Sequence, residues 1–124
     1  MSTISKSDAL NTILNTLSAS SGDIEASAVI SSDGLMIASN FPADLDEDRV
    51  AAMAAALLSM GERAASELSR GDLDQIFIKA SIGNLILVTA GDEGILTTLT
   101  TANAKLGLVF LDMRRAAEEV ARIM

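Results

Sequence analysis

The 124-residue chain carries a formal net charge of −8 and contains no histidine, cysteine, tryptophan or tyrosine. Disulfides and thiolate metal sites are therefore excluded, the commonest general base and metal ligand is missing, and an acidic surface whose only aromatics are phenylalanines suits neither a phosphate backbone nor base stacking. The length fits a single domain spanning residues 1–124; no apolar run could cross a bilayer, the charge disfavours an anionic membrane surface, and Met1–Lys6 is too polar for a signal peptide, so a soluble cytoplasmic protein is expected.

Ser7 is placed to cap a helix beginning near Asp8, whose carboxylate suits the positive end of the helix dipole. Leu10, Ile13, Leu14 and Leu17 follow at helical spacing as one apolar stripe, which ends in the polar stretch around Gly22. Two strands, Ala26–Ser32 and Leu35–Asn40, then flank Asp33-Gly34, a dipeptide suited to a type I′ turn with positive φ at both positions. Phe41-Pro42 ends the second strand.

A second helix is predicted from Glu47 to about Ser69, with Asp46 as N-cap and Gly71 as its stop. No side chain between Val50 and Leu58 is polar. In helical projection Val50, Met53, Leu57, Met60, Ala64 and Leu68 form one broad face, expected to lie on a sheet. The opposite face carries Ala52, Ala55, Ala56, Ser59, Glu62, Arg63 and Ser66. Alanine is a good helix former on any exposed surface. The alternative is a helix covered on both sides, its small residues admitting a close partner.

Three further strands are predicted. In Asp74–Ser81, Ile76, Ile78 and Ala80 face one way and Gln75, Phe77 and Lys79 the other. Leu85–Val88 is apolar throughout, as expected of a central strand covered on both faces. Ile95–Thr101 is rich in β-branched residues. A final helix from near Asn103 places Leu106, Val109, Phe110, Met113, Ala117, Val120 and Met124 on one face, with Glu118 and Arg122 spaced to pair on the other. Gly107 costs this helix about 1 kcal/mol against alanine, and close approach to the sheet is the expected reason.

The resulting order, αββαβββα, with short turns and a strand covered on both faces, predicts a three-layer α+β domain with an antiparallel sheet. Catalytic arrangements are absent. Asp44, Asp46 and Asp48 begin like a calcium loop, but Arg49 and Ala55 stand where it needs glycine and glutamate. Lys79 and Ser81 share one side of a surface strand, and Glu118-Glu119 and Asp92-Glu93 are solvated acids rather than dyads. No glycines form a phosphate loop. Neither enzyme activity nor a cofactor is expected.

The candidate site is instead a surface. A two-fold pairing of the second helix would bury Ala52, Ala55, Ala56 and Ser59, flanked by Glu62 and Arg63, which would meet across the seam, with Ser66 on the same face. The following strand is expected at a sheet edge, where Gln75, Phe77 and Lys79 would join the interface if it paired with its own copy.

In this order of elements the chain resembles the Roadblock/dynein-light-chain family over essentially its whole length. The likeness rests on Ala28–Ser39 as the first hairpin, on the alanine- and methionine-rich second helix, on Ile95–Thr101, and on Asn103, Leu106–Val109 and Met113–Arg115 of the last helix. It implies a profilin-like five-stranded antiparallel sheet, with the second helix on one face and the terminal helices on the other. It also implies dimerisation through the second helix and third strand. The implied function is a non-catalytic adaptor that binds and regulates, or scaffolds, a small Ras-like GTPase, with a purely structural light chain as the alternative. The resemblance further implies that the chain supplies no GTP chemistry of its own, as in the family's bacterial gliding-motility regulator, which reshapes its partner rather than inserting an arginine finger, so Arg49, Arg63 and Arg70 are not read as catalytic.

Overall fold

The structure is a computed structural model that describes residues 5–124; part of the polar start therefore lies outside the described residues. Helix α1 (Lys6–Ser20) leads to strands β1 (Ile24–Ser31) and β2 (Met36–Asn40), then to helix α2 (Glu47–Glu67). Strands β3 (Gln75–Lys79), β4 (Gly83–Ala90) and β5 (Gly94–Thr101) precede helix α3 (Leu106–Ile123). The five strands form one antiparallel sheet in the order β2-β1-β5-β4-β3. The predicted element order and layers hold. The centre does not: it belongs to threonine-rich β5, while the apolar run of β4 lies one strand from the edge.

The cap of α1 sits two residues earlier than Ser7. Ser5 Oγ accepts from the Asp8 N–H at 3.1 Å, so the helix gains a first half-turn. The β1–β2 turn also differs from expectation. Gly34 has φ +88° and Asp33 has no positive φ. The Gly34 N–H donates to the Ser31 carbonyl and the Ser31 N–H to the Leu35 carbonyl, each at 2.9 Å. This is a three-residue loop with glycine in the left-handed position. It spares Asp33 a left-handed conformation that costs a non-glycine residue roughly 1–2 kcal/mol.

One face of the sheet is closed by α1 and α3 together. Leu10, Leu14 and Leu17 of α1 and Val109, Met113, Ala117 and Val120 of α3 bury against Val29, Ile86, Val88 and Leu96. Each fully buried leucine here contributes roughly 1.5–3 kcal/mol through area removed from water. The Thr98 hydroxyl donates to Met113 Sδ at 3.1 Å, which satisfies a hydroxyl in the middle of the core. The apolar stripe predicted for α3 is the buried one, with Ala116 added and Leu106, Phe110 and Met124 at its half-buried margin.

Three details of α3 correct the sequence reading. The helix begins at Leu106, and its cap position, Lys105, makes no side-chain cap; the Asp23 carboxylate instead accepts from the Lys105 N–H at 2.9 Å. Gly107 is exposed, with nothing within 4 Å of a would-be Cβ, so no close approach to the sheet explains it. Glu118 and Arg122 form no ion pair. Among the described residues the pairs are Arg63–Glu67 at 3.5 Å and Arg114–Asp74 at 3.6 Å, all well exposed and worth little.

The other face is covered by α2 alone, and α2 is rotated from its predicted orientation. Its buried line is Ala51, Ala54 and Leu58, not the large-residue face. At Gly61, one turn further on, a Cβ would lie 3.0 Å from Ile76 Cδ1 and 3.1 Å from Leu73 Cδ2. Small residues therefore point at the sheet and let the helix lie close to Ala28, Ile30, Leu87 and Ile95. The helix stops before Gly71. Ser69 takes φ +55°, its N–H donates to the Ser66 carbonyl, and the Arg70 N–H reaches back to the Ala65 carbonyl at 2.8 Å. This bonding defines a Schellman cap with serine where glycine is favoured.

Candidate protein-interaction surface

Helix α2 divides its face of the sheet into two unlike flanks. One flank meets the sheet's turns. A Cβ on Gly34 would lie 3.4 Å from Ala55 Cβ, and an open cavity of ≈ 680 Å³ separates Leu58, Glu62 and Ser66 from Gly71, Asp72, Leu73 and Asp92. The opposite flank carries the predicted large-residue stripe. Leu57 is half-buried, while Met53 is 53%, Met60 63% and, at the C-cap, Leu68 67% exposed. The sheet on this side is thinly covered too: Leu85 is half-buried and Ile78 is 38% exposed. Between the two flanks runs an exposed crest of Ala52, Ala56 and Arg63.

Strand β3 adjoins this surface and is an edge strand, as predicted. The Asp74 carbonyl accepts from Thr89 N–H at 3.0 Å and the Ala80 N–H donates to Gly83 at 3.1 Å, so even-numbered positions bond toward β4. Alternation then directs the backbone N–H and C=O groups of Gln75, Phe77 and Lys79 outward, away from every described strand. The register along β3 is unbroken, so the edge is regular as well as open. Such an edge is a template for another strand.

The predicted interface residues therefore fall into separate groups. Ala52, Ala56, Ser59 and Arg63 stand exposed on the outer side of α2. Ala55 packs on the β1–β2 turn, and Glu62 and Ser66 border the polar cavity. Within its own helix Arg63 pairs with Glu67 at 3.5 Å, both well exposed. Gln75, Phe77 and Lys79 share the edge strand. Gln75 Oε1 accepts from Arg114 Nη2 at 3.4 Å, and the Phe77 ring meets Phe110 edge-on at 5.7 Å. Met53, Leu57, Met60, Ile78 and Leu85, which the candidate set omitted, make the more continuous apolar surface. Gly61 was the available signal, since a glycine aligned with Ala51, Ala54 and Leu58 marks the line nearest the sheet.

Asp46 is an ordinary N-cap, its Oδ1 accepting from the Arg49 N–H at 3.2 Å, and among the described residues no group of acidic side chains is arranged to hold a metal. No helix among them is long and apolar enough to cross a membrane.

Comparison with known proteins agrees with this architecture. An uncharacterized protein of Methanocaldococcus jannaschii is 44% identical over 97 residues, spanning 78% of this chain and 84% of the relative. The structure of Myxococcus xanthus MglB superposes with a TM-score of 0.89 at 18% identity, covering 99% of this chain and 92% of that one. An MglB structure described as having a tetrameric arrangement superposes at 0.88 with 22% identity, over 96% and 90% of the two chains. Acanthamoeba castellanii profilin II also superposes, with a TM-score of 0.67 at 16% identity over 91% of this chain and 97% of that one, so the sheet with α2 on one face and α1 and α3 on the other is the profilin-like arrangement. The Roadblock/LC7 domain profile matches residues 11–100, most of the chain, and the protein belongs to the Roadblock/LC7 family.

Proposed function

We propose that this chain is a non-catalytic homodimeric adaptor that binds a small Ras-like GTPase and regulates or scaffolds it. The observation that carries this reading is the junction of two incomplete surfaces. The outer flank of α2 leaves Met53, Met60 and Leu68 in water, and it borders an edge strand whose outward backbone groups have no partner among the described residues. A second copy related by a two-fold axis would cover both, pairing β3 with β3 and laying its α2 beside the first. The seam then runs along Met53, Leu57, Met60, Ala64 and Ile78, rather than along Ala55, Glu62 and Ser66. Membership in the Roadblock/LC7 family and the likeness to MglB support the GTPase-directed part.

The test uses the full chain and a Ras-like GTPase from the same genome. GTP turnover is measured with and without this protein, alongside binding by calorimetry. A change in turnover on binding supports a regulator. Binding with unchanged turnover supports a scaffold. Absence of binding to every Ras-like GTPase of that genome rejects both and favours the alternative, a structural assembly adaptor with no effect on GTP hydrolysis.

A further inference from the structure

The same flank of α2 carries sulfur that the adaptor role does not call for. Met53 and Met60 lie two helical turns apart on one side of α2, 53% and 63% exposed in the single chain. The remaining described methionines differ. Met113 is fully buried under α3, and Met36 and Met124 are half-buried against the two cores. With no cysteine in the chain, these two thioethers are the most accessible reducing groups among the described residues. Thioethers are soft and adaptable in packing, but they accept an oxygen atom readily, and the resulting sulfoxide is polar and chiral.

We infer that Met53 and Met60 form an oxidation switch on the self-association of this protein, an inference that rests on the dimer reading above. A peroxide transfers one oxygen to each thioether sulfur and leaves as water or alcohol: the sulfur is oxidised, and the O–O bond is cleaved and reduced. The oxidant reaches the sulfur in the free protomer. The product can return to the seam only by burying an S=O dipole among Leu57, Ala64, Ile78 and their copies, none of which donates a hydrogen bond from its side chain. Each unpaired sulfoxide weakens association by about tenfold or more. Reduction by methionine sulfoxide reductases of both epimer specificities restores the thioether, so the switch is reversible.

The experiment treats the full chain with graded hydrogen peroxide, maps oxygen addition by peptide mass spectrometry, and follows mass in solution by sedimentation velocity. The expected result is oxidation of Met53 and Met60 well before Met113, dissociation in step with it, and reassociation after reductase treatment. A Met53→Leu/Met60→Leu variant is expected to associate normally and to stay associated in peroxide. A fully oxidised Met53/Met60 protein that stays dimeric overturns the switch and leaves the dimer reading standing, as does a double-leucine variant that dissociates just as the wild type does. An untreated wild-type protein that is monomeric overturns both.

Discussion

The two faces of the sheet are finished differently. Under α1 and α3 the core is made of large side chains facing inward, Leu10, Leu14, Val109 and Met113, and two helices share the cover. Under α2 the inward line is Ala51, Ala54, Leu58 and Gly61, so one helix lies close to the sheet and its larger residues are turned to the side. The two sheet edges repeat the contrast. At β2 the register breaks between Val29 and Ile30, Pro42 follows two residues after the strand, and α1 packs nearby, all features that discourage further pairing. At β3 the register is regular and apolar side chains remain in water. The lesson is that close packing by small residues leaves the exposed apolar surface beside the helix, not on its crest.

The largest expected effect separates the finished face from the other. Leu14→Ala removes a fully buried side chain from the α1–α3 layer and should cost roughly 2–5 kcal/mol in urea unfolding, without altering the self-association of the folded fraction. A second cut sharpens the role of glycine under α2. Gly61→Val would drive atoms into Ile76 and Leu73 and should destabilise by about 1–3 kcal/mol, with a shift in the near-strand chemical shifts of β3. A smaller effect is expected at the clamp between the α1–β1 turn and α3. Asp23→Ala leaves the Lys105 N–H without its acceptor and should cost about 0.5–2 kcal/mol by thermal melt. The smallest change runs the other way: Ser69→Gly relieves a left-handed serine at the end of α2 and should stabilise by up to about 1 kcal/mol.

Much of this was legible in the sequence because each element carries its own signal. The Leu10–Leu17 stripe, the Asp46 cap, the Phe41-Pro42 break and the alternation around Phe77 are local, and the structure places them as read. Local signals failed where the decision is tertiary. Hydrophobicity assigned the large face of α2 to the sheet, whereas distance of approach decided for alanine and glycine. The Asp33-Gly34 dipeptide left loop length open, and the wider loop avoids strain at Asp33. The apolar run of β4 signalled burial on both faces, which an interior strand next to the edge also has, so it did not fix the strand order. Of the predicted surface residues, Gln75, Phe77 and Lys79 fall on an edge strand as read, because an edge strand can be inferred from its place in the meander. The exposure of Met53 and Met60 was not legible, because the helix phase was turned, and Ile78 beside them was expected under that helix.

Sedimentation equilibrium of the wild type beside Ile78→Lys and Lys79→Pro tests the central claim most directly. Lysine places a charge on the thinly covered sheet beside α2, and proline removes an outward N–H that β4 does not use. The wild type is expected at twice the chain mass and both variants at the single-chain mass, with melting curves that still show folded protomers. A wild type at single-chain mass at micromolar concentration, or both variants at twice the mass, would contradict that claim.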